Sequence, residues 1–374
     1  MSASKRTLCI VNPFEHGGGA EYQIGLLMDV LVASNRYNIH YLAHFVDARA
    51  RTRNYNVHRI GKGGPIPRLG YVMDGLSLYR KLREIGPALI YQRVACAYTG
   101  ICALFSRRNG VPLLWQVAHD TDVMPQLLDV GRNLVRLRLE KLAVEFGLRH
   151  ASAIAVQTER QAALLQRHYH RAADIIVRNF HPSAAEPIDK SGPLTVVWIA
   201  NLKPWKRPEV FVRLAGNLSA LAGVRFVMVG APTGTSGKQS WQEGLMRSIG
   251  LTANLQYLGE KSQSEVNQLL ARVHIFVNTS TQEGFPNTFI QSWLRDVAVV
   301  SLDVDPDQVL EREHVGILAG SETHLAAAVR DLVEHPEVRA GYVQRGREHA
   351  VRRHSMLNAQ ALVRLIDRYS GGRS

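Results

Sequence analysis

Cysteine is scarce in this chain of 374 residues: Cys9, Cys96 and Cys102 are the only three, an odd set in apolar surroundings. So sparse a set argues against a disulfide framework and reads as a protein of a reducing cytoplasm. Long hydrophobic runs are missing as well. None approaches the roughly 18 apolar residues that a membrane span needs. Met1–Thr7 leads straight into a short strand, Leu8–Asn12, without a signal-peptide hydrophobic region. No low-complexity tract or repeat is visible. Aromatics are only 7% of the chain and are not interleaved with the scattered basic residues, so no nucleic-acid partner is expected. Acid is the minority sign: 32 Asp and Glu against 45 Lys and Arg leave a formal charge of +13. An excess of that size calls for an anionic partner, either a phosphorylated substrate or an anionic membrane surface. His168, His170 and His181 lack zinc-ligand spacing, and neither a G-x-S-x-G elbow nor a P-loop is present.

A 46% hydrophobic fraction over this length fits two α/β domains better than one core. Short β-branched runs alternate with helical patterns from end to end, the signature of parallel βαβ units. In the first half the strands are expected at 8–12, 39–43, 57–60, 88–91, 113–117, 153–157 and 175–177. Helices are expected between most of them, at 19–33, 71–85, 96–107, 133–148 and 159–168. The stretch 181–193 then holds three prolines, a glycine and several polar residues, and reads as an interdomain linker. The pattern restarts with strands at 194–200, 225–229, 254–257, 273–278 and 298–302, and the tail from Glu322 to Tyr369 reads as helical.

Four polar clusters fall just beyond strand ends, where ligands bind in doubly wound sheets. After the first strand, Asn12–Glu21 carries Gly17, Gly18 and Gly19, which let a ligand approach the backbone closely. After the fifth, Trp115–Asp122 presents His119 and Asp120. After the first strand of the second half, Asn201–Pro208 supplies Lys203 and Lys206. Cations there suit a diphosphate leaving group, whose developing charge they neutralise. The fourth cluster says most: Ser280–Trp293 runs from a strand into a polar loop with Glu283, then Gly284, Phe285, Pro286, Asn287 and Thr288 at a helix start, with Gln291 one turn in. Backbone amides at such a junction suit phosphate, and the acid beside them suits a sugar hydroxyl. Asp303-Val304-Asp305 looks like a D-x-D metal site, but Pro306 directly after it suggests a turn, and no metal is expected.

The residues of the fourth cluster resemble the E-x7-E signature of the family-4 retaining glycosyltransferases, in the variant reading EGFPNTF with Gln291 in place of the second acid. The Gly-rich loop is similar to that family's GG-x-E loop, His119 to its His-Asp element, and Lys206 to the lysine of its R-L-x-x-x-K pattern. Asn201 stands where the arginine would be, and Lys203 supplies the charge instead. The loop at Tyr257 resembles the nucleobase-proximal one. The resemblance implies a GT-B fold: two doubly wound Rossmann-like domains, an interdomain cleft and a helical C-terminal tail. It implies an acceptor-side domain at 1–187, a nucleotide-sugar domain at 188–354, and a last helix, 355–374, crossing back to the first. The implied activity is metal-independent transfer of a sugar from a nucleotide-diphosphate donor to a hydroxyl acceptor. Glu283, His119 and Lys206 would be the catalytic residues, and Gly18, Gly19, Lys203, Tyr257, Gly284–Thr288 and Gln291 would hold the donor. No cofactor is expected beyond the donor itself. A non-catalytic sugar-nucleotide binder and a GT-B-like epimerase or phosphorylase are the alternatives.

One helix bears on location. At 133–148 the spacing places Val135, Leu139, Leu142 and Phe146 on a buried face, with Leu134, Leu137 and Leu148 outward beside Arg138 and Lys141. Exposed leucines among cations suit a headgroup layer. The expectation is therefore a cytoplasmic enzyme, peripheral on the inner membrane face, with a glycan or lipid-linked acceptor of polysaccharide or glycolipid assembly.

Overall fold

The computed structural model describes residues 5–46, 54–61, 70–125, 134–232 and 239–371. They form two compact units, one from residues 1–180 and 356–374, the other from His181–Ser355. The first is built on strands β1 (Arg6–Val11), β2 (Tyr37–Ala43), β3 (Asn56–Arg59), β4 (Leu89–Arg93), β5 (Leu113–Gln116), β6 (Ala153–Val156) and β7 (Ile175–Ile176). All pair in parallel, in the order β3-β2-β1-β4-β5-β6-β7. The helices between them are α1 (Gly19–Ala33), α2 (Gly75–Ile85), α3 (Ala97–Asn109), α4 (Leu134–His150) and α5 (Glu159–Tyr169).

Successive residues of β1 enter different cores: Leu8 and Ile10 pack with α1 and the last helix of the chain, Cys9 and Val11 with α2 and α3. Burial on both faces is why these strands read as continuous apolar runs and not as alternating ones. The three cysteines are free and buried, and burial pushes their thiols up.

The second unit repeats the plan with β8 (Thr195–Ile199), β9 (Arg225–Val229), β10 (Leu255–Tyr257), β11 (Ile275–Asn278), β12 (Ala298–Ser301) and β13 (Ile317–Leu318), in the order β10-β9-β8-β11-β12-β13 and again all parallel. Its helices are α6 (Pro208–Asn217), α7 (Gln239–Gly250), α8 (Gln263–Leu270), α9 (Asn287–Trp293), α10 (Val309–Arg312), α11 (Glu322–Glu334) and α12 (Pro336–Arg353); α13 (Leu357–Ser370) belongs to the first unit. The order reverses direction between β1 and β4 in one sheet and between β8 and β11 in the other. At such a switch point the connections leave toward opposite sides and open a crevice beyond the strand ends.

The proline-rich stretch is fastened to the second unit. Arg295, itself 1% exposed, pairs with Glu186, and the Lys190 ammonium donates to the Leu270 carbonyl at 2.8 Å. The chain enters this unit at His181 and leaves it after His354, and the His181 N–H donates to the His354 carbonyl at 2.9 Å.

Helix α4 corrects the expectation made for 133–148. Its inner face is set by close backbone contact with α3: a Cβ on Gly147 would lie 2.7 Å from Thr99 backbone, and one on Gly100 would lie 2.3 Å from the Ala143 carbonyl. The buried stripe therefore runs through Ala143, Gly147 and Leu148. Leu148 is fully buried and not outward-facing, whereas Leu142, assigned inward, is 62% exposed. Lys141 lies 3.7 Å from Glu145. The side chains of Leu134, Val135 and Leu137 lie outside the described residues. No described helix is long and apolar enough to cross a membrane.

Burial pushes the His181 imidazole down to about 4. An unfolded chain takes up that proton near pH 6.5, so between about 6.5 and 4 the unfolded state binds more protons and stability falls as pH falls. Buried His349 and His274 are pushed the same way. Thermal melts from pH 7 to 4.5 should show decreasing stability. His181→Gln should flatten the slope by up to roughly 1.4 kcal/mol per pH unit; an unchanged slope would place the proton uptake elsewhere.

Candidate active site

Both polar loops of the second unit flank its switch point. One follows β8 and turns as a short 3-10 segment, Pro204–Lys206. The other follows β11 and leads into α9. A single hydroxyl joins them. Thr279 Oγ1 accepts the buried Trp198 indole N–H at 2.9 Å. Its own proton lies between the carbonyls of Lys206 and Arg207, at 2.6 and 3.0 Å. Arg207 answers by donating its Nε–H to the Thr279 carbonyl at 2.7 Å and pairing with Asp303. It does so from a left-handed conformation, φ 45°, costly for a residue other than glycine. The Thr281 N–H closes the seam on the Trp205 carbonyl at 2.9 Å.

This seam brings together the two residues singled out for charge chemistry. Lys206 Nζ is ion-paired with Glu283, and the Ser280 hydroxyl donates to the same carboxylate oxygen at 2.8 Å. Both side chains are largely buried. Lys203 stands apart, its ammonium 5.0 Å above the ring of the exposed Trp205, a cation–π arrangement that keeps the charge near the loop.

The rest of the Glu283 loop is held from within. Gly284, Phe285 and Pro286 are buried, and the Phe285 ring packs against His354 and Trp293 at 4.5 and 6.3 Å. Only the backbone of these residues is left to meet a ligand. Pro286 is the residue before α9, with extended ψ 122°, and Asn287 and Thr288 open a helix of seven residues. Gln291 is 2% exposed, and its amide hydrogens go to Gln263 at 3.2 Å and Asn267 at 2.7 Å, binding α9 to α8. Tyr257 donates its hydroxyl to the Gly230 carbonyl at 2.7 Å. Gly230 sits so close to the end of β8 that a Cβ would lie 1.7 Å from the Ala200 carbonyl oxygen, which forbids any other residue.

In the first unit, Gly18 precedes α1 and Gly19 begins it; the buried Asn12 amide donates to Phe14 and Glu21, at 3.1 and 2.9 Å, and ties the loop to the helix. His119 stands before the 3-10 turn Asp120–Val123. Its Nδ1 accepts the Thr121 N–H at 3.2 Å, so the neutral ring carries its proton on Nε2. Asp122 Oδ2 accepts the N–H groups of Ala118 and His119 at 2.8 and 2.9 Å. Burial pushes the Asp122 carboxyl up, against the pull of those two donors. Asp120 is taken by Arg160 and Gln161, at 3.0 and 3.1 Å, which makes it a strut.

Both acids of the D-x-D pattern have protein partners: Asp303 holds Arg207, and Asp305 accepts the N–H groups of Leu310 and Glu311 in α10. No group of three or more His, Cys, Asp or Glu suited to a metal occurs among the described residues.

Residues 193–335 match the family model described as "Glycosyl transferases group 1". That match lies within the second unit and spans most of it. Among proteins of curated function, none matches the sequence. Among solved structures, the Anabaena protein Alr3699/HepE in complex with UDP and glucose is similar with a TM-score of 0.77 at 18% identity, over 97% of this chain and 99% of that one. Sucrose-phosphate synthase from Thermosynechococcus elongatus gives 0.76 at 15% identity, over 97% and 99%. WaaG, a glycosyltransferase involved in lipopolysaccharide biosynthesis, gives 0.76 at 14%, over 98% and 100%. At these identities the likeness shows the fold. The fold is GT-B.

Sequence reading missed Thr279, Ser280 and Arg207. The first two carried a signal: in Asn278-Thr279-Ser280 the Asn278 side chain accepts the Ser280 N–H at 2.7 Å, the local turn chemistry of Asn before polar residues. Replacing Thr279 by Val should leave the Trp198 N–H buried without its partner, costing about 1–3 kcal/mol. Circular dichroism should be unchanged while the Lys206 loop loosens, read as faster amide exchange at Lys206 and Arg207. Wild-type exchange rates there would show that the hydroxyl does not hold the seam.

Proposed function

We propose that this chain is a retaining glycosyltransferase that moves a sugar from a nucleotide-diphosphate donor to a hydroxyl of a glycan acceptor, with no metal ion. The observation that carries this reading is the meeting of Lys206 and Glu283, from opposite sides of the switch point, in a unit that matches the group 1 model. Here the two side chains neutralise each other. A sugar diphosphate offers each a better-matched partner: phosphate oxygens to the lysine, sugar hydroxyls to the carboxylate. Exchange of partners keeps both charges compensated, so neither is left buried and alone. Lys203, over the exposed Trp205, reaches the outer phosphate side, and the backbone of Gly284–Thr288 lines the same crevice.

In the reaction the bond between the anomeric carbon and the diphosphate oxygen breaks, and a bond to the acceptor oxygen forms on the same face. The acceptor's proton passes to the leaving phosphate oxygen, so no protein base is needed. Lys206 stabilises the charge that grows on that oxygen, the largest kind of contribution a fixed cation makes. His119 offers Nε2–H, a donor of fixed tautomer, to a donor-sugar hydroxyl. Gln291 contributes by holding α9 against α8. The Anabaena relative, solved with UDP and glucose and with UDP-glucose, makes uridine the first base to try. WaaG's stated role in lipopolysaccharide biosynthesis supports a glycan acceptor. With Leu148 buried, α4 loses one of the leucines that pointed to a membrane surface.

Donor hydrolysis with UDP- and GDP-sugars is the assay. Lys206→Ala should lower turnover by about a hundredfold with the fold intact, and Glu283→Gln should do the same while UDP still binds. Wild-type turnover in folded Lys206→Ala protein would overturn the assignment, and a wild type that binds UDP without ever hydrolysing or transferring the sugar would leave a binding protein instead.

A further inference from the structure

The first unit contains a cavity of about 220 Å³ beside the His119 turn. It opens between the β4–α3 turn, the 3-10 turn Asp120–Val123, α4 and the end of α5. Its size argues first. Pockets for drug-sized ligands run to roughly 300–1,000 Å³, so this one takes a single small ring and not a nucleotide.

The walls are rigid. Tyr71 is fixed through its backbone N–H, which donates to Glu140 at 2.7 Å, and its ring packs against buried Tyr98 and His44 at 5.3 and 5.8 Å. His44 and Tyr98 converge in turn on the buried Asp74 carboxylate, at 2.8 and 2.6 Å. Glu140 also accepts the Ala97 N–H at 2.6 Å, so its carboxylate serves as a clamp on the cavity wall. Tyr169 and Val144 supply further apolar lining.

The polar side of the lining is Asp122. Oδ2 is committed to two backbone N–H groups, whereas Oδ1 makes no hydrogen bond among the described residues. A partly buried carboxylate with one oxygen unengaged favours a ligand that brings a hydroxyl donor. The charges select further. Among the described lining residues Asp122, Glu140 and Glu145 outnumber Lys141, which is drawn to Glu145. A phosphorylated or carboxylated sugar meets net repulsion there.

We propose that this cavity binds one neutral pyranose unit of the acceptor, its ring between Tyr71 and Tyr169 and a hydroxyl donating to Asp122 Oδ1. The proposal rests on the glycosyltransferase reading, and it specifies the acceptor as a non-phosphorylated sugar. It also gives Asp122 a second task. The same carboxylate holds the His119 N–H, and Thr121, which also lines the cavity, fixes the His119 tautomer. Occupancy therefore bears directly on the turn that aims the histidine.

Calorimetric titration of the full chain with neutral methyl hexosides and with glucose 6-phosphate tests this, with UDP and GDP titrated separately. At least one neutral hexoside should bind, and the phosphate ester should bind about tenfold more weakly or not at all. Val144→Trp, which fills the cavity, should weaken the hexoside by about tenfold or more at an unchanged melting temperature. Tyr169→Ala, which removes a wall without overpacking, serves if Val144→Trp does not fold, and should weaken it likewise. Unaltered hexoside affinity in a folded variant, equal binding of the phosphate ester, or no hexoside binding by a wild type that binds UDP would overturn the pocket while leaving the donor reading in place. Failure of the wild type to bind either nucleotide would instead remove the reading beneath it.

Discussion

The Thr279 hydroxyl sits where the two loops at the switch point of the second sheet have to be joined. It receives the Trp198 indole from inside β8 and gives its proton to the carbonyls of the Lys206 loop. Backbone carbonyls at the end of a 3-10 turn have no partner within their own segment, and in a crevice they cannot rely on water. Thr279 and Arg207 meet that demand from the facing loop. The pairing of Lys206 with Glu283 depends on this seam, since two loops free to slide would not keep a largely buried ion pair in register. The left-handed Arg207 is strain set against the same end: its backbone turns so that the guanidinium can reach Thr279 and Asp303.

Much of this architecture was legible in the sequence because burial on both faces leaves so direct a mark. Runs such as Leu89–Tyr91 and Ile275–Val277 are apolar at every position, a pattern that central parallel strands impose. Parallel βαβ units followed from their alternation with helices, and the GT-B plan from the resemblance of the motifs. The edge strand β13, two half-buried residues long, was not anticipated. Helix α4 misled for a different reason. A face packed through Gly100 and Gly147 is chosen by backbone proximity, and glycine contributes nothing to a hydrophobic stripe. The expected face held at Phe146, which packs on the core, and failed at Leu142 and Leu148, whose places follow from the contact with α3.

The candidate site divides along similar lines. Lys206 and Glu283 were identified from charge beside a strand end, and the structure brings them together. Whether a side chain beside them is held in the core or open to a ligand was not legible. Phe285 and Gln291 sit within the same motif as Glu283, yet one belongs to an aromatic cluster with His354 and Trp293 and the other to an amide bridge with Gln263 and Asn267. Those partners lie between 8 and 69 residues away, a separation that motif spacing does not encode. The same holds for Asp122, whose part in fixing the His119 turn shows only once Ala118 and His119 are seen to donate to it.

Charge gives the two units different work. The chain as a whole carries +13, and a surface so basic raises the local concentration of any anion near it. In the second unit that bias suits a diphosphate, with Lys203 and Lys206 at the crevice. In the first unit it would draw the same anions toward the cavity that we propose for an acceptor sugar. Long-range attraction fades over a Debye length of about 8 Å at physiological salt, so groups at contact distance decide what enters. Three carboxylates against one lysine in the cavity wall reverse the sign locally. On the proposed reading, a nucleotide in the acceptor cavity would act as an inhibitor, and the acidic lining disfavours it there.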